Sequence, residues 1–440
     1  MEAPNHSPNP WPAPQSPRIL NASLSLPGSK SLTNRELVLA SLADGPAVLR
    51  GGLVARDTEL MMDALEALGG AIIRHGDTWS VTPINFGQIS DGPVTIQCGL
   101  AGTVMRFVPP LVLLGFQPVT FDGDERARQR PMSPVIDALR QLGARVDDDD
   151  RGALPFTVYP GGLPTSAHTV QIDASQSSQF VSALLLVALR LQAPLTIEHT
   201  GSSLPSLPHI DMTIDCLRRR GVSVEIERGT RWTIEPQPID AEDTTIEPDL
   251  SNAAPFLAAA LVAGGQVTVT DWPATTTTQV GGLLPGFLTE FGAVVERDGD
   301  TLSVEGPRIG PGVGLQPVSM DLSAAGELAP TLVSLSLFST GTSRFSGIGH
   351  LRGHETDRLK ALVDNITALG GVATETSDGI IVTPAPLRGG PWRAFGDHRM
   401  ATSGALVGLG VAGVEVDDIA QTDKTLPEFL SLWASLLEQE

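Results

Sequence analysis

The residues with the clearest capacity for chemistry are Lys30, Ser31 and Arg35, in the stretch LPGSKSLTNR. A strand-like segment leads into the Pro-Gly turn of this stretch, and the pattern then predicts a helix that begins near Ser31. The three side chains therefore lie near a helix N-terminus, where unpaired backbone N–H groups and the positive end of the helix dipole attract anions. Two cations and a hydroxyl group at this position predict a site for phosphate or carboxylate groups. The alternative interpretation is an ordinary helix N-cap with charged surface residues.

The same pattern, a small or polar turn followed by a long apolar helix, recurs along the chain. When one equivalent position is marked in each copy, the copies lie 73, 74, 75, 75 and 72 residues apart. Regular spacing of this kind indicates internal repetition. The marked positions are Lys30, Thr103, Ser177, Asn252, Glu327 and Arg399.

A second helix, amphipathic rather than wholly apolar, follows each of these helices after a strand and a polar loop. A short hairpin pattern with a turn signal then follows, except in the last copy. Five of the second helices end at a glycine in a C-cap position, which favours a left-handed backbone there. These glycines are Gly69, Gly143, Gly221, Gly292 and Gly370.

The repeat thus reads helix, strand, helix, strand, strand, and its six copies predict an α/β fold with three copies in each of two domains. The acidic, weakly patterned stretch 237–249 is the predicted crossover between domains. We therefore expect an N-terminal domain over 29–246 and a C-terminal domain made of 19–28 and 247–440. The Pro- and Asn-rich residues 1–18 are predicted to form a disordered tail. The N-terminal strand before Pro27 is a candidate to complete the sixth copy.

The first helix of every copy is apolar on nearly all sides, which predicts that it is buried. Equivalent polar turns then place six positive helix ends at equivalent points of the repeats. If the two halves face each other, these ends converge on a cleft. The periodicity therefore predicts an anion-binding site in the cleft between the domains.

The residues at the helix starts and in the loops before the second helices include several cations, several hydroxyls and two candidate acid/base carboxylates. Such a set favours transfer between two multiply anionic small molecules, by proton transfer and electrostatic clamping. No metal-ligand spacing, Walker loop or dinucleotide fingerprint occurs, so neither a metal nor a cofactor is expected. The set comprises Lys30, Ser31, Arg35, Gly102, Thr103, Arg106, Arg130, Ser177, Ser178, Gln179, Ser206, His209, Glu327, His350, His354, Glu355, Arg358, Asp397, His398, Arg399 and Lys424.

Structural roles are open alternatives for several of these residues. One alternative takes Arg106 as a packing and capping residue, and another takes Asp397 with His398 as a plain helix N-cap. Glu355 is three residues from Arg358, and the alternative for it is a simple ion pair with Arg358 on one helix face. Glu327 is harder to explain in this way, because a carboxylate in an apolar helix needs a partner or a function.

Composition excludes several classes of partner. The chain has 29 basic and 50 acidic residues, a net charge of −21, which repels nucleic acid and anionic membranes. The two cysteines, Cys98 and Cys216, are far apart and lack nearby metal ligands, which argues for a reducing compartment without disulfides or zinc. No apolar run of about 18 residues and no secretory leader are present. We expect a cytoplasmic protein with no nucleic-acid or membrane partner.

The motifs LPGSKSLTNR, LAGTVMRF, ERARQRP, SQSSQF, RGHETDRL, DHRM and DKTLPEF together resemble the 5-enolpyruvylshikimate-3-phosphate synthase family. The resemblance runs from about residue 20 to about residue 432, in order and at the family's spacing. It implies a two-domain inside-out α/β barrel of six repeated units with its active site in the interdomain cleft. It also implies a monomer without a cofactor, glyphosate as an inhibitor, and a reaction of chorismate biosynthesis between shikimate 3-phosphate and phosphoenolpyruvate.

Residue roles follow from the same resemblance. It implies that Glu327 accepts the proton of the 5-hydroxyl. It also implies that Glu355 protonates C3 of phosphoenolpyruvate, with a pKa that closure and desolvation raise against nearby cations, and then removes a proton in the elimination of phosphate. Lys30 is implied as a third catalytic residue. The implied contacts of shikimate 3-phosphate are Lys30, Ser31, Arg35, Ser177, Ser178, Gln179, Ser206, Glu327, His350 and His354. The implied contacts of phosphoenolpyruvate are Lys30, Gly102, Arg130, Gln179, Arg358, Arg399 and Lys424.

The chain departs from the family's commonest pattern at a few positions. Glu327 stands where many members have Asp, and Leu100 and His209 replace Asn and Tyr. His350 and His354 stand where Asn and Lys are common. Because histidine titrates near neutrality, this pair predicts a stronger pH dependence of the rate between pH 6 and 8.

Two rival functions remain at this point. The sister enolpyruvyl transferase that acts on UDP-N-acetylglucosamine shares the fold, but it typically has Lys-Asn where this chain has Lys30-Ser31. It also has a reactive cysteine in the loop where this chain reads ERARQRP. The other rival is a non-catalytic anion-binding protein, against which the two carboxylates Glu327 and Glu355 argue, since a binder of anions gains nothing from them.

Overall fold

Two large hydrophobic cores divide the chain. A computed structural model describes residues 10–16, 18–87, 92–274, 276–307, 309–310 and 313–439. One core is built from residues between Leu32 and Ile246, and the other from residues between Ala13 and Leu436. The cores match two compact units, Pro27–Glu247 and the N-terminal residues through Leu26 together with Pro248–Glu440. A separate core for each unit is what defines a domain.

Twelve α-helices occur in the described residues, two in each repeat. The odd-numbered helices are the buried first helices predicted from their apolar composition, and the even-numbered helices are mostly half-exposed. The helices are α1 (Lys30–Leu42), α2 (Arg56–Ala67), α3 (Gly102–Phe107), α4 (Ser133–Gln141), α5 (Gln179–Ala188), α6 (Leu207–Arg219), α7 (Ala254–Ala263), α8 (Leu284–Glu290), α9 (Ala329–Leu335), α10 (Arg358–Ala368), α11 (His398–Gly410) and α12 (Phe429–Glu438).

The strands are short, between two and six residues each. They are β1 (Trp11–Pro12), β2 (Leu20–Leu24), β3 (Ala47–Arg50), β4 (Ala71–His75), β5 (Thr78–Thr82), β6 (Val94–Gln97), β7 (Val119–Asp122), β8 (Arg145–Asp147), β9 (Phe156–Tyr159), β10 (His168–Ile172), β11 (Leu195–His199), β12 (Glu225–Glu227), β13 (Arg231–Ile234), β14 (Thr244–Thr245), β15 (Gly265–Val269), β16 (Val294–Asp298), β17 (Thr301–Gly306), β18 (Ser319–Asp321), β19 (Ser343–Ser346), β20 (Val372–Glu375), β21 (Ile380–Thr383), β22 (Gly390–Trp392) and β23 (Val414–Val416).

Each repeat has its own small sheet, which confirms the predicted six copies of one α/β unit. The sheets of the first unit have the orders β14-β3-β5-β4, β6-β7-β9-β8 and β10-β11-β13-β12. Those of the second are β2-β15-β17-β16, β18-β19-β21-β20 and β22-β23-β1. In every sheet the first pair is parallel and the remaining pairs are antiparallel. A parallel pair needs a crossover connection, so a strand ahead of each first helix belongs to the repeat and was absent from the predicted pattern.

Two of these leading strands pair far from their place in the chain. Strand β14 directly precedes α7 but pairs with β3, and β2 directly precedes α1 but pairs with β15. The prediction that the N-terminal strand before Pro27 completes the sixth repeat is therefore wrong, since β2 belongs to the fourth. The sixth sheet is completed instead by β1, which pairs antiparallel with β23.

The prediction of a disordered tail over 1–18 is wrong for the segment around β1. Trp11 and Pro12 lie in that strand, and Ala13 is buried and donates its backbone N–H to the Val414 carbonyl at 2.9 Å. A proline is tolerated because β1 is an edge strand, where a missing N–H need not break a ladder. Residues 1–9 and 17 lie outside the described residues, and the prediction remains untested there.

The predicted helix ends are confirmed by backbone angles. All five C-cap glycines have positive φ values, between 74° and 101°. In this left-handed region glycine carries no Cβ penalty, so the chain can turn sharply out of each second helix into its hairpin. None of the described helices combines the length and the apolar composition needed to span a lipid bilayer.

Candidate active site

The start of α1 is capped by Ser29, whose hydroxyl accepts a hydrogen bond from the Leu32 amide at 3.4 Å. Because Ser29 makes the cap, Lys30 and Ser31 in the first turn are not needed for it. The Lys30 ammonium lies 3.2 Å from the carboxylate of Asp57, which is almost fully buried at the start of α2. The ion pair holds the Lys30 ammonium at the positive end of α1, where an anion would be favoured.

Arg35 fixes α1 against α6. Its side chain is buried, and it donates to the Thr213 hydroxyl at 2.7 Å and to the His209 carbonyl at 3.0 Å. A further bond to the Ser31 carbonyl measures 2.9 Å, and the guanidinium lies over the Phe107 ring. Three of its donors are thus committed to protein groups that shape the first turn of α1. Arg35 therefore holds the backbone of Ser31, a predicted ligand contact, in place.

A second group of residues surrounds the start of α3, where Gly102 is the first helical residue. A Cβ atom at this position would lie 3.1 Å from the guanidinium of Arg106 and 3.2 Å from that of Arg130. Arg130 also donates to the Leu100 carbonyl at 3.2 Å. Two buried guanidinium groups beside a helix N-terminus form an environment suited to an anion. We call Gly102, Arg106, Arg130 and Gln179 the arginine cluster.

Arg106 is more than the packing residue that the sequence alternative described. Its guanidinium stacks over the Phe180 ring at 5.0 Å and donates to the Gln179 side-chain oxygen at 2.7 Å. Burial, and then the charge of Arg130, lowers the pKa of Arg106 well below its ordinary value. A bound anion would relieve this repulsion between two like charges.

The hydroxyl residues predicted for the third repeat lie at two helix starts. Ser177 and Ser178 precede Gln179, the first residue of α5, and the Ser177 hydroxyl accepts from the Gln179 amide at 3.3 Å. Ser206 precedes α6 with a φ of 55°, a left-handed angle that is uncommon outside glycine. Such backbone strain, of order 1–3 kcal/mol, concentrates at functional sites.

The second unit holds a separate group of charged residues around Glu355. One carboxylate oxygen lies 2.7 Å from the Lys424 ammonium, and the other lies 3.0 Å from Nδ1 of His398. All three side chains are nine-tenths buried or nearly so. Glu355 therefore does more than pair with Arg358, which was the alternative interpretation from sequence. We call Glu355, Lys424 and His398 the Glu355 cluster.

The charge state of Glu355 follows from its neighbours. Burial raises its pKa, but Lys424, followed by His398 and Arg358, outweighs burial and holds the pKa well below its ordinary value. In this structure Glu355 is therefore a carboxylate, and the raised pKa that the family resemblance implies on closure stays a prediction. Burial lowers the pKa of His398 against the attraction of Glu355, so a neutral imidazole donates its Nδ1–H to the carboxylate.

Glu327 lies in a short 3-10 helix, Gly326–Leu328, that leads into α9. Its carboxylate accepts from the Ser251 hydroxyl at 2.8 Å and from the Arg399 guanidinium at 3.0 Å. The carboxylate keeps about a fifth of its surface exposed. The partner that this unusual residue requires is thus supplied by two other repeats, and Glu327 stays accessible to a ligand.

Arg358 and Asp397 form a buried, two-bond ion pair. The Nε and a terminal nitrogen of Arg358 lie 2.8 and 3.2 Å from the two oxygens of Asp397. Asp397 is also the N-cap of α11, since it accepts from the Arg399 amide at 2.9 Å. The N-cap interpretation is therefore correct but incomplete, because the same carboxylate orients Arg358.

His350 and His354 lie together, with ring centroids 5.7 Å apart in an edge-to-face arrangement. The Nε2 atom of His350 is buried and makes no hydrogen bond to any described residue. Burial, and then the charge of Arg358, lowers the pKa of His350 to about 4. The predicted contribution of His350 to pH dependence between pH 6 and 8 is therefore wrong, because a buried neutral ring does not titrate there.

The shift of His350 has a consequence for stability. The unfolded chain binds this proton with a pKa of about 6.5 and the folded chain with a pKa of about 4, so acidification below 6.5 favours unfolding. We expect His350→Asn to lose less stability than the wild type between pH 7 and pH 4.5, as measured by urea unfolding. His75→Asn, at an exposed position, serves as the control. Parallel stability curves for His350→Asn and wild type would contradict this assignment.

Glu355, Asp397 and His398 also bring their ligand atoms within 4.8 Å of one another, close enough for a metal ion. Lys424 and Arg358 already pair with the two carboxylates at 2.7 and 2.8 Å. A metal cation there would lie beside two fixed cations, so the charges disfavour it. The residues fit a proton-transfer site better than a metal centre.

Sequence reasoning missed the residues that orient the charged side chains of the site. Asp57, Ser251 and Thr213 hold Lys30, Glu327 and Arg35, respectively. An acidic residue in the first turn of a helix has an ordinary explanation in the helix dipole, so Asp57 carried no distinct signal. Ser251 lies at the start of the fourth repeat, where other repeats carry polar site residues. This equivalent position in the repeat could have identified Ser251 from the sequence.

Comparisons with known proteins agree with this geometry. A family model described as EPSP synthase (3-phosphoshikimate 1-carboxyvinyltransferase) matches residues 14–433. The chain is 50% identical over 439 residues to the 3-phosphoshikimate 1-carboxyvinyltransferase of Kocuria rhizophila, covering 98% of this chain and 97% of that protein.

Solved structures support the fold. The EPSP synthase from Acinetobacter baumannii is similar with a TM-score of 0.76 and 22% identity, covering 96% of each chain. The enolpyruvyl transferase NikO from Streptomyces tendae is similar with a TM-score of 0.74 and 17% identity, covering 98% of each chain. Together they confirm the predicted α/β class of repeated units.

Proposed function

The chain belongs to the EPSP synthase family, and from this premise we infer that it is an enzyme, a 3-phosphoshikimate 1-carboxyvinyltransferase. It transfers the enolpyruvyl group of phosphoenolpyruvate to the 5-hydroxyl of shikimate 3-phosphate and releases phosphate. The observation that supports this function best is the Glu355 cluster, because a buried carboxylate held by a cation and a neutral imidazole suits proton transfer. The reaction belongs to chorismate and aromatic amino acid biosynthesis.

In the proposed mechanism Glu327 acts as the base. Its carboxylate is half of an ion pair with Arg399 at 3.0 Å and remains partly exposed, so it can accept the proton of the 5-hydroxyl. The freed oxygen attacks C2 of phosphoenolpyruvate while C3 takes up a proton. The product of this addition is a tetrahedral ketal that still carries the phosphate group.

Glu355 handles the proton at C3. The addition needs a protonated Glu355, and the elimination needs its carboxylate. Without ligand, the Lys424 ammonium is the largest charge that stabilises the carboxylate against burial. We propose that Lys424 turns to the anionic ligand, after which burial dominates and raises the pKa of Glu355. In the elimination Glu355 takes one proton back from the methyl carbon, the C–O bond to phosphate breaks, and the enol ether forms.

The remaining predicted contact residues are assigned to the two substrates. We propose that Lys30, Ser31, Arg35, Ser177, Ser178, Gln179 and Ser206 bind shikimate 3-phosphate, together with Glu327, His350 and His354. Phosphoenolpyruvate, which carries a carboxylate and a phosphate, is assigned Lys30, Gly102, Arg130, Gln179, Arg358, Arg399 and Lys424. Cations on helix N-termini are the usual means of binding such groups. A cytoplasmic monomer without a cofactor is part of the same proposal.

The deciding experiment is phosphate release from phosphoenolpyruvate by the purified chain. We expect release with shikimate 3-phosphate and none with UDP-N-acetylglucosamine or without an acceptor. Release with the sugar nucleotide alone would favour the sister transferase. Binding of shikimate 3-phosphate without any release would favour an anion-binding protein, and release without an acceptor would reveal a contaminating phosphatase.

Gly102→Ala tests the close approach at the start of α3. A methyl group there would crowd Arg106 and Arg130, with contacts of 3.1 and 3.2 Å that require the guanidinium groups to shift. We expect a several-fold rise of the KM for phosphoenolpyruvate and a larger rise of the inhibition constant of glyphosate. Steady-state kinetics with both compounds measure the two changes. Equal changes in both constants would contradict the prediction.

A further inference from the structure

We propose that Arg106 is a positioning residue that sets the orientation of the Gln179 amide and thereby turns its NH₂ group toward the bound anion. The proposal rests on the proposed function in one respect, since it takes Gln179 as a ligand contact. Arg106 itself is not among the residues assigned above to either substrate. Its role follows from what the two side chains can donate and accept.

The geometry of the pair leaves one arrangement. A terminal nitrogen of Arg106 lies 2.7 Å from the Gln179 side-chain oxygen. A guanidinium has five N–H donors and no acceptor, whereas the amide of glutamine has one oxygen acceptor and one NH₂ donor. Only the oxygen of Gln179 can therefore face Arg106 with favourable energy. Reversing the amide would place two donors against each other at hydrogen-bond distance.

The other end of the amide is free for a ligand. Among the described residues, no hydrogen bond from the Gln179 NH₂ group occurs, whereas its oxygen and its backbone amide are both bonded. Gln179 is half-exposed at the N-terminus of α5, where the helix dipole also favours negative charge. The fixed NH₂ group adds a donor to a place that already attracts anions.

Arg106 is itself held firmly enough to act in this way. Its side chain is buried, and its guanidinium lies over the Phe180 ring, the residue that follows Gln179 on α5. On its other side the same terminal nitrogen lies 3.1 Å from the position that a Cβ of residue 102 would take. Burial and the Phe180 ring thus restrict the guanidinium, and the amide takes its orientation from Arg106.

Gln179→Glu tests the orientation directly. The new carboxylate still accepts from Arg106, so the folded protein should be at least as stable as the wild type. The group that faces the ligand changes from a donor to an anionic acceptor. We expect the Kd for phosphoenolpyruvate, measured by calorimetry without an acceptor so that no turnover occurs, to rise about a hundredfold. An unchanged Kd would overturn the proposal.

A double-mutant cycle tests whether Arg106 acts through Gln179. Arg106→Met keeps an apolar contact with Phe180 but removes the donors. We expect it to raise the Kd about tenfold in the wild-type background and clearly less in the Gln179→Met background, where no amide can be oriented. Equal fold-changes in both backgrounds would mean that Arg106 acts independently, and would overturn the proposal. Arg145→Met, at an exposed arginine of the same unit, is the control and should leave the Kd unchanged.

Turnover separates this proposal from the proposed function. If the wild type binds phosphoenolpyruvate but releases no phosphate, the proposed function fails, and the same Kd values still decide the role of Arg106. If the wild type binds neither substrate, both fail. If Arg106→Met loses its cooperative thermal transition, Arg106→Gln takes its place in the double-mutant cycle, because glutamine retains a polar group at the site.

Discussion

Glu355→Gln should reduce phosphate release that depends on shikimate 3-phosphate by about a thousandfold, the scale of a lost general acid or base. Glutamine has the shape of glutamate but cannot carry the proton that C3 gains in the addition and loses in the elimination. The same residue serves both steps, so its loss should affect the addition and the breakdown of the ketal alike. Rapid-quench measurement of ketal and of phosphate distinguishes the two steps.

The structure allows this substitution without loss of the fold. A glutamine oxygen can still accept from Lys424, which lies 2.7 Å from the present carboxylate. The NH₂ group can donate to His398 once the imidazole changes tautomer. We therefore expect the thermal midpoint and the binding of shikimate 3-phosphate to remain close to wild type while the rate falls.

A matched control separates chemistry from charge. Glu296→Gln makes the same change at an exposed position of β16 in the same unit, and it should retain full activity. A Glu355→Gln variant that kept more than about a tenth of the wild-type rate would remove Glu355 from the role of proton carrier.

Most of what the sequence predicted correctly was local. Gly69 and Gly143 were recognisable as helix ends because a positive φ is a property of one residue. Helix α5 was recognisable as buried because its residues after Gln179 are almost all apolar, and the structure buries every one of them. The nearly equal spacing of these local patterns along the chain then indicated six repeats.

Partners that lie far apart in the chain were not predictable in the same way. Strands β2 and β14 exchange places relative to the helices that follow them, and a two- to five-residue strand carries no mark of its partner. Asp57 and Asp397 read as ordinary residues of a helix start until Lys30 and Arg358 are seen beside them. Spatial neighbours, not residue types, decide which carboxylate orients a cation.

The protonation state of the site was also beyond the sequence. His350 was predicted to titrate near neutrality because histidine ordinarily does, yet burial moves its pKa to about 4. Glu355 was expected to reach a raised pKa on closure, whereas in this structure Lys424 is the largest charge that holds its pKa low. For His350 desolvation and the Arg358 charge act in the same direction, whereas for Glu355 nearby cations oppose desolvation. Only coordinates show which groups lie near enough to act.

Asp397→Asn should destabilise the second unit by about 3–5 kcal/mol, the usual cost of breaking a buried ion pair. Asp397 is fully buried and Arg358 nearly so, and the two share bonds of 2.8 and 3.2 Å. Asparagine keeps the size of the side chain and its ability to cap α11. It turns one acceptor into a donor and removes the counter-ion that is hydrogen-bonded to Arg358 in the interior. The loss thus reports the ion pair and not a cavity or a missing cap.

Hydrogen exchange gives the local measurement, because α10 and α11 begin at Arg358 and next to Asp397. We expect faster exchange of their protected amides in Asp397→Asn, by about two to four powers of ten at this energy. Asp364→Asn is the matched control on α10, since its pair with Lys360 at 2.8 Å is exposed and should contribute less than about 0.5 kcal/mol. If both variants lost the same small amount, the buried pair would contribute no more than a surface pair. Arg358 would then be held by the packing around it, and its orientation toward a ligand would not depend on Asp397.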